Sequence, residues 1–398
     1  MKKDVLLIAH FCNDFDGKGN NRFNYIANLL ANNNFDTELI TSDFSHNKKI
    51  KREKINSKSY NYKITFISEP QYSNNVSFKR FYSHYKMGKN LKKYLDKRKK
   101  PDIIYCAVPS LDVAKVAANY AKKNNVKFII DIQDLWPEAF EMIFKIPIIS
   151  PIIFFPFRKK ANYIYNSADK IVSVSDSYTM RALKNNNKCE KSSSIYIGTD
   201  LSEFDKMAEI NKYLEKPDNE IWIAYAGTLG NSYDLISIID ALNILNLQGI
   251  LNIKFIVMGD GPLKSKFENY AKIKKVNANF VGRLTYGEMV GLLKACDIAV
   301  NPIKKNSAAS IINKHGDYAA AGLPVLNTQE SQEYRNLIEE YEAGINCINN
   351  DAKDISSKIL KLYNDKKLRS TMGRNSRRLA EEKFDRKVSY LKILEMLK

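Results

Sequence analysis

Lys314 and Asp317 stand three residues apart in the stretch INKHGDYAAAGLPVLNT, directly ahead of three alanines, a glycine and a proline. That spacing places an ammonium and a carboxylate on one helix face. The pair suits a ligand that carries both negative charge and hydroxyls, because the cation answers the charge and a carboxylate accepts two hydroxyl hydrogen bonds at once. Glycines at the ends of apolar runs form a second set. Gly227 in YAGTLGNSYD, Gly259 and Gly261 in VMGDGPLKSKF, and Gly282 in NFVGRLTYGEM each close a strand-like run ahead of a helical stretch. Exposed N–H groups and the helix dipole at such turns can receive phosphate or ribose oxygens. One glycine turn is common to any α/β protein; the succession is the specific signal.

The elements that must position these residues follow from an alternating β/α rhythm. Short apolar runs, VLLIAH (5–10), YKITFIS (62–68), DIIYCAV (102–108), KFIIDI (127–132), KIVSV (170–174) and SIYIG (194–198), alternate with helical stretches, as buried parallel strands require. A polar segment, 199–220, interrupts the rhythm, which restarts with IWIAYAG (221–227), IKFIVMG (253–259), ANFVG (278–282), IAVNPI (298–303), PVLNT (324–328) and GINCI (344–348). The expectation is an α/β chain of two doubly wound, Rossmann-like domains. Ligands of such sheets bind beyond the carboxyl ends of the strands, which puts the expected site in a cleft between the domains.

The chain of 398 residues is long enough for two cores, and its net charge of +19 points to an acidic partner. Five scattered cysteines and four histidines without ligand spacing argue against a disulfide framework or a structural metal, and for a reducing, cytosolic setting. The start, MKKDVLLIAHF, reads as a first strand rather than a signal peptide.

Taken together, YAGTLG, VMGDGP, NFVGRLTYGEMVGLLKACDIAVNPI and DYAAAGLPVLNT resemble the nucleotide-sugar-binding half of retaining GT-B glycosyltransferases of family 4, also called group 1. DLWPEAF, SADKIVSVSDSYTMRAL and IYIGTDLSEF are similar to the acceptor-side half of bacterial members that build capsule or O-antigen glycans. The resemblance implies an acceptor domain over 1–199, a donor domain over 200–380, and a final helix, 381–398, crossing back to the first. It implies transfer of a sugar from a nucleotide diphosphate sugar, UDP being the commonest base, to a glycan acceptor with retention of configuration. No metal or other cofactor is required.

By the same resemblance Asp317 takes the place of a glutamate that holds donor ribose hydroxyls, and the donor surroundings comprise Gly227, Thr228, Leu229, Gly230, Asn231, Gly259, Asp260, Gly261, Arg283, Leu284, Ser310 and Asn313. This chain departs from the pattern in two places. The family's first glutamate is replaced by Ala309, which leaves Ser307, Ser310 or loop backbone for the donor sugar. The Arg and Lys that hold the diphosphate are missing from GTLGNSYD, so the cation is Lys314 or, alternatively, Arg283. Gly17, Lys18 and Gly19 in FDGKGNNRF suit the phosphate or transferred sugar, while Arg22 stands where a dinucleotide fingerprint needs its third glycine. The sequence DFD (14–16) matches a metal motif of a different fold and is set aside. Gln133 and Asp134 replace a family His-Asp pair; Asp134 is either the group that takes the acceptor's proton or the cap of the turn before Pro137, with Glu138 a weaker candidate.

The surplus charge is concentrated. Residues 79–100 hold ten Lys/Arg and one acidic residue, interleaved with apolar side chains at helical spacing, and 140–160 is densely apolar but interrupted by Pro147, Pro151 and Pro156 before three cations. Both suit peripheral attachment to an anionic membrane on its cytoplasmic face, which fits a lipid-linked glycan acceptor. Two other classes stay open: a sugar-nucleotide epimerase of the same fold, disfavoured by the few histidines, and a basic nucleic-acid-binding protein, for which no binding module is present and which is not expected.

Overall fold

A computed structural model describes residues 2–13, 15, 21–52, 60–75, 77–143, 149–213, 215–305 and 310–398. The chain divides into two compact units, residues 1–195 with 390–398, and residues 196–389.

The first unit is built on seven parallel strands: β1 (Asp4–Ile8), β2 (Asp36–Ser42), β3 (Lys63–Ile67), β4 (Ile103–Val108), β5 (Lys127–Ile132), β6 (Lys170–Ser173) and β7 (Lys191–Ser194), in the order β3-β2-β1-β4-β5-β6-β7. The central strands are buried throughout because helices cover both faces, and their sequences are accordingly near-continuous apolar runs. At the edge the expected strand SIYIG is displaced: β7 is the polar run KSSS, and Ile195 instead enters the core beside Val172, Tyr390 and Ile393. An edge strand needs apolar residues on one face at most, so the most apolar window is a poor guide there. The segment 390–398 closes this core, with Tyr390, Ile393, Met396 and Leu397 buried against β1, β4 and β5 residues.

The second unit carries six parallel strands: β8 (Ile221–Ala226), β9 (Ile253–Met258), β10 (Ala278–Gly282), β11 (Ile298–Asn301), β12 (Val325–Asn327) and β13 (Gly344–Asn346), in the order β10-β9-β8-β11-β12-β13. Both sheets therefore reverse direction beside their first strand, as the doubly wound fold requires. One core lies under the helices Leu235–Leu247 and Ala352–Asn364, the other under Leu201–Ile210, Tyr286–Lys294 and Asn313–Ala320.

The division falls at 195/196, not at 199/200, and the chain rejoins the first unit at Tyr390, not at 381. The reason is local pairing. Thr199 donates to Asp317 at 3.0 Å and bridges in parallel to Asp385, which ties 196–199 and the end of the preceding helical segment into the second unit.

Candidate functional site

In the second sheet the chain turns from β8 toward β9 on one side and later returns to β11 on the other, so the strand order reverses between β8 and β11, at whose carboxyl ends a doubly wound sheet takes its ligand. The helix Asn313–Ala320 packs beneath it. Tyr318 anchors that helix, its hydroxyl accepting from the Ala226 N–H at 2.9 Å at the last residue of β8. Ala319, Ala320 and Ala321 allow this close approach, being fully packed with nothing larger than a methyl to accommodate.

Lys314 lies one turn earlier and is almost entirely buried, with 7% of its surface exposed. Its ammonium sits 4.3 Å from the ring centre of Tyr225 and 4.0 Å from that of Tyr233. It touches the Gly227 backbone so closely that a methyl group there would come within 3.2 Å of Nζ. Among the described residues Nζ has no hydrogen-bond partner. Burial without a compensating negative charge lowers its pKa to about 7. The ring faces offset part of that cost. An ammonium at a strand-end glycine with no acceptor of its own is a half-completed ion pair.

Asp317 does not share those contacts. Its Oδ1 accepts from Thr199 Oγ1 at 3.0 Å and from Tyr286 Oη at 2.9 Å, so the two members of the sequence pair face different elements. Burial raises the Asp317 pKa, and the hydroxyls of Tyr286 and Thr199 work against that shift. Oδ2 takes no partner among the described residues and keeps acceptor capacity.

The glycine turns divide into two roles. The N–H groups of Gly227 and Leu229 donate to Met258 O and Asp260 O, those of Gly259 and Gly261 to Gly282 O and to the Asp260 carboxylate, so the expected anion donors at these positions are already engaged. Gly259 and Gly261 are required for another reason. At φ of +150° and +158°, a Cβ on them would come within 1.9 Å of Gly227 O and 2.4 Å of Leu229 O. They allow the β9 turn to lie against the β8 turn. The N–H groups of Thr228, Gly230 and Asn231 have no partner among the described residues and remain as donors in the turn that follows Gly227. Asn313, Asp260 and Arg283 are exposed, and Leu284 packs partly into the core. Ser310 is buried, its carbonyl accepting from Gln329 Nε2 at 3.0 Å. That amide belongs to a ladder across three strands, Asn301 to Asn327 at 2.8 Å and Asn327 to Asn346 at 2.9 Å, which sequence reading passed over. Gly17, Lys18, Gly19, Ser307 and Ala309 lie outside the described residues.

On the first unit, Asp134 follows β5 and is half-buried. Its carboxylate accepts from the Leu135 N–H at 2.9 Å and from Trp136 Nε1 at 3.2 Å, so it does cap its own turn. Burial nonetheless raises its pKa to about 6, with Glu138 adding to the rise and these hydrogen bonds opposing it. A carboxylate poised there can exchange a proton near neutrality. Glu138 is held by Arg181 at 2.6 Å, a structural assignment. Close by stands a network that the sequence did not reveal: His10 Nε2 faces both oxygens of Glu69 at 2.9 and 3.0 Å, His10 Nδ1 meets Ser110 Oγ at 2.5 Å, and Ser83 donates to Glu69 at 2.6 Å. These four residues come from positions 10, 69, 83 and 110, and only the sheet order joins them.

Among the described residues there is no group of His, Cys, Asp and Glu that could hold a metal ion, and no helix long and apolar enough to cross a membrane.

Residues 206–379, within the second unit, match the family model described as Glycosyl transferases group 1. An uncharacterized glycosyltransferase of Methanocaldococcus jannaschii, MJ1069, is 25% identical over 260 residues, covering 61% of this chain and 64% of the relative. The match thus spans less than two thirds of that relative's length. Among solved structures, Anabaena HepE in complex with UDP superposes with a TM-score of 0.70 at 14% identity over 99% of both chains. WaaG, a glycosyltransferase involved in lipopolysaccharide biosynthesis, does so with 0.66 at 15% identity over 98% of both. These likenesses establish the fold as GT-B, two parallel-sheet Rossmann-like domains.

Proposed function

We propose that this chain, whose second unit carries a group 1 glycosyl transferase domain on a GT-B fold, transfers a sugar from a nucleotide diphosphate sugar to a glycan acceptor. The observation that carries the reading is Lys314, a buried ammonium without an acceptor among the described residues, set against Gly227 at the carboxyl end of β8. As the bond from the anomeric carbon to the diphosphate breaks, negative charge builds on the departing oxygen. Preorganised cations and N–H groups stabilise that charge most effectively where water is excluded. Lys314 and the N–H groups of Thr228, Gly230 and Asn231 are the groups proposed for this role, and Asp317 Oδ2 is the proposed acceptor for a ribose hydroxyl. In the first unit Asp134 is the group to take the acceptor's proton. UDP is the proposed base, in keeping with the UDP bound by HepE. Retention of anomeric configuration belongs to the same reading.

A thermal-shift screen against UDP-, GDP-, ADP- and dTDP-sugars tests it directly: the matching donor at about 100 times its Kd stabilises the fold by about 2.7 kcal/mol. NMR of the product anomer then decides retention. A protein indifferent to every nucleotide sugar at millimolar concentration does not carry this activity.

The acceptor is proposed to be lipid-linked, in cell-surface polysaccharide synthesis at the cytoplasmic face of the membrane. In support, the helix Phe78–Leu95 leaves Phe78, Tyr82 and Tyr85 exposed among its lysines, and the helix Ile149–Ser167 leaves Ile152, Ile153 and Phe155 exposed ahead of Arg158, Lys159 and Lys160. The two helices meet through Phe81 and Phe157, whose ring centres are 5.6 Å apart, so these side chains belong to neighbouring surfaces. Sedimentation with anionic vesicles at low salt, released as salt screens the charge, is the expected behaviour. Equal binding to neutral vesicles removes the electrostatic part of the claim.

A further inference from the structure

A second buried cation without a carboxylate partner among the described residues stands in the first unit. Arg80, 8% exposed, lies in the first turn of the 18-residue helix Phe78–Leu95. Its guanidinium stacks over Trp136, 4.8 Å from the ring centre, and over Phe11 at 5.6 Å. One nitrogen donates to Asn75 O at 2.7 Å, while Nε has no partner among the described residues. The neighbouring carboxylates are taken: Glu69 by His10 and Ser83, Asp134 by Leu135 and Trp136. More basic groups converge here. His46 is bonded through Nδ1 to the Tyr72 hydroxyl, its ring 4.9 Å from Phe11; Lys49 lies 4.8 Å from the Tyr72 ring centre; and His84, whose Nε2 also lacks a partner, stacks on Trp136. The helix has no acidic residue in its first turn, so the positive end of its dipole is not neutralised either.

Apart from His84, which lies within the helix, these residues follow the carboxyl end of a strand: Phe11 after β1, His46 and Lys49 after β2, Tyr72 and Arg80 after β3, and Trp136 after β5. That is where a doubly wound sheet binds its ligand. The floor is buried and aromatic, whereas Phe11, His46 and Lys49 are partly exposed and form the rim. Burying a guanidinium without a carboxylate bonded to it is costly: burial lowers the Arg80 pKa against the opposing pull of Tyr72, Asp134 and Glu69, and burial followed by Lys49, Arg80 and His10 lowers that of His46 to about 3. A tetrahedral dianion or diphosphate would relieve all of it at once, since a guanidinium fork matches phosphate oxygens in pairs.

We propose that this face of the first unit is a phosphate-binding site, with Arg80 as the principal contact and His46, Lys49 and the helix N-terminus completing it. Resting on the transferase reading for the identity of its ligand, it takes the phosphate of the sugar acceptor, either a lipid-linked phosphate or diphosphate or a soluble sugar phosphate.

The test is calorimetric titration of inorganic pyrophosphate into the full chain and into Arg80→Gln, Lys49→Gln and Lys314→Ala, with a thermal melt of each. Parent and Lys314→Ala should both bind through this site. Arg80→Gln should weaken that binding at least about tenfold, as expected for a lost charged hydrogen bond. Lys49→Gln, a rim change that leaves the buried floor intact, should weaken it a few-fold and decides the matter should Arg80→Gln fail to fold. Competition identifies the source: displacement by a hexose 6-phosphate indicates a soluble acceptor, and displacement by a polyprenyl phosphate in detergent micelles a lipid-linked one. Parental affinity in both Arg80→Gln and Lys49→Gln, or loss of all binding in Lys314→Ala, overturns the proposal. Nucleotide-sugar binding, read in the same variants, separates the two readings: it should survive Arg80→Gln, and its absence from the parent alongside an Arg80-dependent pyrophosphate site would remove the transferase reading while leaving this one.

Discussion

Arg22 and Lys314 are both buried cations beside parallel sheets, yet their surroundings are opposite. Arg22 in the first unit reaches Asp131 through Nε at 3.0 Å and a terminal nitrogen at 3.2 Å, and donates as well to Ile195 O and the Tyr390 hydroxyl. Asp131 is completed by Tyr105 at 2.7 Å and Gln133 at 2.6 Å. Burial pulls the Arg22 pKa down, but Asp131, Tyr390 and Tyr105 together more than offset it and the net shift is upward. At Lys314 burial is the whole cause and the shift is downward. A cation whose every donor is satisfied from within the fold contributes structure. One buried without an acceptor costs stability until a ligand supplies the missing charge.

The largest effect should come from the paired site. Arg22→Leu strands Asp131 and should cost about 3–5 kcal/mol in urea denaturation; a loss below about 1 kcal/mol would mean the pair is no more than a surface bridge. Next, Lys314→Ala should lower turnover by about 10² to 10³, comparable to losing one preorganised donor, and Lys314→Met should leave the urea midpoint at pH 7 unchanged or raised. If Lys314→Ala turns over sugar at the parental rate and Arg283→Ala does not, the diphosphate role belongs to Arg283. Asp317→Asn should then weaken nucleotide affinity by about 1.5–3 kcal/mol, the scale of a charged hydrogen bond. Unchanged affinity would assign Asp317 to holding Thr199 and Tyr286.

The same contrast has a pH signature. In the unliganded protein Lys314 releases its proton near pH 7, whereas in the unfolded chain it does so near 10.5. Between those values the unfolded state binds the extra proton, so stability should rise with pH over that window, by up to about 1.4 kcal/mol per unit. The rise should vanish in Lys314→Met. Binding of a nucleotide diphosphate at pH 8 should draw a proton onto Lys314, seen as a buffer-dependent heat in calorimetry. Heat independent of buffer would place the anion elsewhere.

Much of the architecture was legible because parallel strands buried on both faces must be continuous apolar runs, and VLLIAH, KFIIDI and IWIAYAG are such runs. The edge was not: KSSS pairs through backbone alone, and backbone pairing leaves no mark in side-chain pattern. Lys314 was singled out from its place ahead of the alanine helix, but its aromatic enclosure by Tyr225 and Tyr233 could not be read, since those residues arrive from a distant strand and loop. The glycines at 259 and 261 have a packing reason that the sequence could not show, because a requirement for a missing side chain looks the same whether a ligand or another turn fills the space.

Local pattern, then, determined by itself the two parallel sheets, most of their strands, and the place of Lys314 and Asp317 on one helix, because periodicity and turn chemistry act over a few residues. Which cations are paired and which are left open was decided only in three dimensions. Arg22 and Asp131 lie 109 positions apart, Thr199 and Asp317 118 apart, and His10 and Glu69 59 apart. Electrostatic compensation depends on distances of a few ångströms and on the exclusion of water, and both are properties of the packed sheet ends rather than of any window of sequence.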